Sequence, residues 1–171
     1  MILNTAGRPL EFHCTAPVRP SRSQEILYGA TLKAYLYGEQ IGQALLEKAK
    51  TIPLVVFTDT EPVLSARDFT SLPLACVLRP PADGPAAGAG EPAGSLRLDE
   101  GRREVPPPFG LRVHAFQVGS QRLAVLQDHE ADAPIIVKHW EPLAAEFDLL
   151  EPFARIREAI DEARRSATRP S

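Results

Sequence analysis

The chain has 171 residues, 44% of them hydrophobic, which is enough for a packed core and argues against wholesale disorder. Its 19 lysines and arginines against 22 aspartates and glutamates give a net charge of −3, leaving no electrostatic footprint for nucleic acid or an anionic membrane. The two cysteines, Cys14 and Cys76, are too few for a four-thiolate metal site, and no apolar run approaches the ~18 residues of a membrane span.

The stretch "PLEFHCTAPV" (residues 9–18) is apolar and β-favouring at its centre and is closed by Pro17 and Pro20, which predicts a strand. Ser21 or Ser23 then stands as a helix N-cap, with Glu25 in the first turn where a negative charge suits the helix dipole. The helix is expected to run to about Lys50. Ile26, Leu27, Leu32, Leu36, Ile41, Leu45 and Leu46 occupy more than one of its faces, so cover on two sides is expected. "IPLVVFTD" (residues 52–59) is a continuous apolar run of the kind found in a strand buried on both faces. "EPVLSARDF" reads as a short helical turn and "PLACVL" (residues 73–78) as another strand.

Residues 80–108 hold seven prolines and five glycines, a composition that supports neither a strand ladder nor a stable helix, and predict a flexible loop. Beyond it, "LRVHAFQVG" and "QRLAVLQ" around Gly119-Ser120 predict a β-hairpin, and "APIIVKHW" an edge strand. "EPFARIREAIDEARR" carries Pro152 in its first turn and an apolar stripe of Phe153, Ile156, Ile160 and Ala163, the marks of an amphipathic helix. Residues 167–171 are expected to fray.

These elements predict one α/β domain over residues 1–171, structured in 9–79 and 109–166. Its single mixed, partly parallel sheet would be flanked by a long helix in the N-terminal half and the amphipathic C-terminal helix. The opening "MILNTAGRPLEF" has no basic segment followed by an apolar run, so no signal peptide is expected and a cytoplasmic location is.

The long helix poses a question. Gly38 and Gly42 sit in its interior, where each is worse than alanine by about 1 kcal/mol. Ala30, Ala34, Gly38 and Gly42 recur every four residues and form one small-residue ridge. Such a ridge admits a close backbone, either from the protein's own core or from a partner such as the same helix of a second copy.

Chemistry has three candidates. His13 and Thr15 share one face of the first strand, and His114 lies on a later one. This resembles the paired His-x-Thr/Ser strands of the two-histidine phosphoesterases, but Phe116 stands where the second hydroxyl belongs. Asp59, followed by Thr60, ends the run "LVVFTD" at the carboxyl end of a strand, where ligands of open α/β sheets gather. The string resembles the phosphoacceptor strand of a receiver domain without that family's early acidic pair or placed lysine; capping of the next helix is the other reading. "QDHEAD" groups Asp128, His129, Glu130 and Asp132, residue types that bind divalent metals when they converge, but no metal site is assigned. Both cysteines read as small buried apolar residues. No nucleotide-loop or hydrolase signature is present, and no cofactor is expected.

A binding or assembly protein, acting as a homodimer or a subunit of a larger complex, is therefore the expectation. Its alternatives are a phosphoester hydrolase or nucleotide-processing enzyme using His13, Thr15 and His114, and a regulatory domain holding a ligand at Asp59 and Thr60.

Overall fold

A computed structural model of the chain describes residues 1–79 and 111–168; the proline- and glycine-rich stretch 80–108 lies outside them, as do residues 169–171 of the tail. The described chain is mixed α/β. Its main sheet has four strands, β3 (Val56–Thr58), β4 (Leu74–Leu78), β5 (Val113–Val118) and β6 (Gln121–Leu126), in the order β3-β4-β6-β5. β3 and β4 are parallel, joined by a 3₁₀ helix over Glu61–Phe69; β6 runs antiparallel to both β4 and β5. Gly119, at φ +60°, turns the β5–β6 hairpin where the Gly-Ser pair predicts it.

Central position explains why β4 is apolar throughout and β6 is apolar from Leu123 to Leu126. Their successive side chains serve opposite faces of the sheet. Ala75, Val77, Leu123 and Val125 join Ala133, Ile136 and Leu149 in one core cluster, on the side of α4 (Asp132–Trp140) and α5 (Glu151–Thr168). Leu74, Cys76 and Leu126 join Leu64 and Ala66 of the 61–69 helix in a second cluster on the other face.

The expected edge strand "APIIVKHW" is helix α4 instead. Pro134 falls in its first turn, where an amide has no intrahelical partner to lose, and Asp132 starts it with a negative charge. The β-branched run suggested a strand, but Ile136 is fully buried while neighbouring Ile135 is 42% exposed, the one-sided burial of a surface helix.

The expected strand over 9–18 shrinks to β2 (Pro9–Glu11), which pairs with β1 (Ile2–Leu3) in a separate two-stranded sheet. Residues 12–20 are irregular, and Pro17 and Pro20 offer no backbone donor for pairing. The run 52–59 likewise shortens to β3, with Ile52 82% and Leu54 68% exposed.

The long helix is a continuous coil from Arg22 to Lys48, but it is not one α-helix. α1 (Arg22–Tyr28) is capped by Ser21, whose hydroxyl accepts the Gln24 amide while the Gln24 side chain accepts the Ser21 amide. Gly29, at φ +49°, breaks it. A 3₁₀ turn (Gly29–Thr31), one turn of α2 (Leu32–Ala34), a π-helix (Tyr35–Gln43) and α3 (Ala44–Lys48) follow. The π-helix lies on the 61–69 helix.

That contact answers the glycine question. A β-carbon on Gly38 would stand 1.8 Å from the Ser65 hydroxyl oxygen and 2.8 Å from the Ala66 amide nitrogen; one on Gly42 would meet the Ala66 β-carbon at 3.0 Å. The Ser65 hydroxyl, fitted against Gly38, lies 2.8 Å from the Ala34 carbonyl and 2.9 Å from the Pro62 carbonyl. The ridge packs inward at Gly38 and Gly42, which are buried, while Ala34 is half-buried and Ala30 exposed. The expected cover on two sides is not found at the start of the coil, where α1 buries none of its residues.

Candidate functional site

β3 and β4 run side by side in one direction, so both carboxyl ends reach the same edge of the sheet, beside the β5–β6 turn. Asp59 follows β3 directly, and its side chain is only 10% exposed. One carboxylate oxygen takes two guanidinium groups: Arg79 Nη2 at 3.3 Å, just past β4, and Arg157 Nη2 from α5. The Thr60 hydroxyl leans on the other oxygen at 3.4 Å. A carboxylate shared by two arginines is a tether between sheet and helix. Among the described residues, no group of three His, Cys, Asp or Glu is placed to hold a metal ion.

His13 lies elsewhere, in the irregular segment after β2, with Nε2 2.9 Å from Glu11 Oε2. Glu11 also accepts the Lys50 amide at 3.0 Å, the Thr51 amide at 2.7 Å and the Thr51 hydroxyl at 2.5 Å. These donors, the Thr51 hydroxyl foremost and then His13, pull its carboxyl down from 4.5 to about 2. Nucleophile activation would require histidine in the middle, and here the carboxylate is in the middle. The knot fastens β2 to the loop after α3. Thr15 is half-buried nearby in sequence.

His114 is on β5, the far edge of the main sheet, with Nδ1 3.4 Å from Glu130 and its ring stacked on Phe116. His13 thus lies outside any strand while His114 is on β5, they meet different acids, and no strand pair brings them face to face as the phosphoesterase pattern requires. The "QDHEAD" groups turn to separate partners: His129 to Asp68 at 3.1 Å, Glu130 to His114, and Asp132 to Arg67. The last is a buried two-point pair at 2.7 and 3.1 Å, and Asp132 also lies 3.3 Å from the Leu74 amide. It ties the 61–69 helix to α4 and the start of β4. Cys76 is buried and its thiol pushed up to about 12 by desolvation, whereas Cys14, expected inside, is exposed.

Two surface features escaped the sequence reading. The first is the N-terminal arm: Ile26 is 67% and Leu27 81% exposed on α1, and Leu10, Phe12 and Val18 are exposed before it. Tyr28 and Tyr35 stack at 4.0 Å across the Gly29 break and hold α1 to the coil that follows. The adjacent Ile26-Leu27 pair, with no apolar residue three or four positions before it, was a readable signal. The second is a groove of about 590 Å³ between Val77–Arg79, the β5–β6 turn and residues 144–150; it is lined by none of His13, Asp59 and His114.

Comparison with protein-family models, with curated proteins and with solved structures gives no match. Function has to be argued from the geometry of the chain itself.

Proposed function

We propose that this chain works by contact: it is a binding or assembly protein of the cytoplasm, acting as a homodimer or as a subunit of a larger complex. The observation that carries this reading is α1, a capped helix that buries none of its residues and presents Ile26 and Leu27 to water. Fully burying one such side chain is worth about 1.5–3 kcal/mol, so an opposing surface would gain from covering the pair. Leu10, Phe12 and Val18, which precede α1 in the chain, are exposed as well. The small-residue ridge contributes indirectly, since Gly38 and Gly42 are used up on Ser65 and Ala66 and so set the arm's footing.

Sedimentation velocity of the wild type against an Ile26→Glu, Leu27→Glu double variant tests this. The wild type should sediment as a dimer or larger species, and the variant as a folded monomer with an unchanged melting temperature. A wild type that is monomeric at all concentrations, and that captures no partner which the variant fails to capture, ends the proposal.

A further inference from the structure

We propose that the free edge of β5 pairs with the same edge of a second copy, antiparallel about a two-fold axis at Ala115, and so joins two four-stranded sheets into one. This contact goes beyond the one at α1 and uses a different element.

β5 ends the strand order, with β6 on one side and, among the described residues, no strand on the other. The hairpin register fixes which backbone groups that open side carries. The Gln127 amide donates to the Arg112 carbonyl at 2.9 Å, so Arg112 faces β6. Successive residues of an antiparallel strand alternate in direction, and the register runs unshifted from the Val113–Leu126 pair to the Val118–Gln121 pair. His114, Phe116 and Val118 therefore bond to β6 as well. Val113, Ala115 and Gln117 turn both N–H and C=O to the free edge.

Edges are ordinarily blunted by short length, proline, charge or a bulge. β3, at the other end of the sheet, has three residues. β5 has six, VHAFQV, with no proline, lysine or carboxylate among them and no bulge in its register. Its three outward residues are also complementary to themselves. With Ala115 opposite its own copy, Val113 of each chain stands opposite Gln117 of the other, and every outward amide meets an outward carbonyl. Ala115 is exposed and small, so little bulk stands at the axis. Between these pairs His114 comes opposite Phe116 of the other copy, and the same two kinds of ring already stack along the strand at 6.4 Å. His114 is the strand's one titratable side chain, and in this register it does not meet its like. The pairing covers mainly backbone, and a hydrogen bond exchanged for one with water gains little net. It is the weaker of the two contacts and forms at higher concentration than the one at α1.

The Ile26→Glu, Leu27→Glu variant lacks the α1 contact and isolates this edge. Monomeric when dilute, it should sediment increasingly as a dimer as its concentration rises to about 1 mM. In that background Ala115→Lys should abolish the dimer, because two ammonium groups then face each other, and Ala115→Glu should do the same. An equimolar mixture of the two should associate at least about tenfold more tightly than either alone. The Ala115 side chain is exposed, so both forms should keep their melting temperature. Amide exchange at Val113, Ala115 and Gln117 should slow as concentration rises, while His114 and Phe116, already bonded to β6, stay unchanged. A background that is monomeric throughout, an Ala115→Lys form that dimerises like its parent, a mixture no tighter than its components, or no slowing at the three outward amides would each overturn the proposal. The α1 reading is judged separately, by dilute wild type against the double variant, so the failure of either leaves the other standing.

Discussion

The centre of the sheet and the N-terminal arm are made from the same kinds of residue and have opposite fates. Leu123 and Val125 of β6 are fully buried, whereas Leu27 of α1 is 81% exposed. Local structure does not separate them, because α1 is as well capped as any helix in the molecule. What separates them is an opposing surface. β6 has the 61–69 helix on one face and α4 on the other; among the described residues α1 packs chiefly on the coil that follows it and buries none of its own residues. Hydrophobicity supplies stability where something covers it and supplies a contact surface where nothing does.

The largest effect should come from the buried ion pair that links the covering helices. Asp132→Ala leaves Arg67 unpaired at 17% exposure, which should cost about 3–5 kcal/mol in urea denaturation. A double replacement of Arg67 and Asp132 by methionine and leucine should recover most of that loss. If the single variant is as stable as the wild type, the pair is not what holds the 61–69 helix to α4.

Next is the core itself. Leu123→Ala should cost about 2–5 kcal/mol, while Ile26→Ala or Leu27→Ala in the arm should stay within about 0.5 kcal/mol. Comparable losses at the two places would erase the distinction between them.

Gly38→Ala tests the footing of the arm. Helix propensity alone predicts a gain of about 1 kcal/mol, but the new methyl group must displace Ser65, and overpacking costs about 1–3 kcal/mol. A net loss is expected, larger than for Gly42→Ala, whose nearest contact is 3.0 Å. Ser65→Gly in the Gly38→Ala background should restore part of the stability. A melting temperature that rises in the single variant would deny the close contact.

The smallest effect is a pH dependence. The Glu11 carboxyl is lowered in the folded protein from 4.5 to about 2, so its contribution is present above the higher value and lost as pH falls through the lower one. Wild type and Glu11→Gln should therefore differ above about pH 5 and converge as pH falls through that window. Parallel curves with no convergence would mean that the Glu11 knot contributes nothing through its charge.

Much of this architecture was legible in the sequence, because it rests on local periodicity and turn chemistry. The alternation of "QRLAVL", the Gly119-Ser120 turn, the Ser21 cap and the stripe of Phe153, Ile156 and Ile160 each specify an element from a few neighbouring residues. What failed was what depends on distant partners. "APIIVKHW" has the composition of a strand, but Ile136 finds the sheet only as one side of a helix. The apolar residues of α1 looked like core because nothing within the sequence says which surface will stand opposite them. The ridge was visible as spacing, but that Ser65 and Ala66 fill it was decided 27 and 24 positions away from Gly38 and Gly42 in the chain, counting from the residue numbers. The groove was invisible for the same reason, since Val77–Arg79 and residues 144–150 lie on separate elements that only the fold brings to one cavity. Periodicity is a property of neighbours along the chain, and burial is a property of neighbours in space, so the first could be read from this sequence and the second had to wait for the tertiary structure.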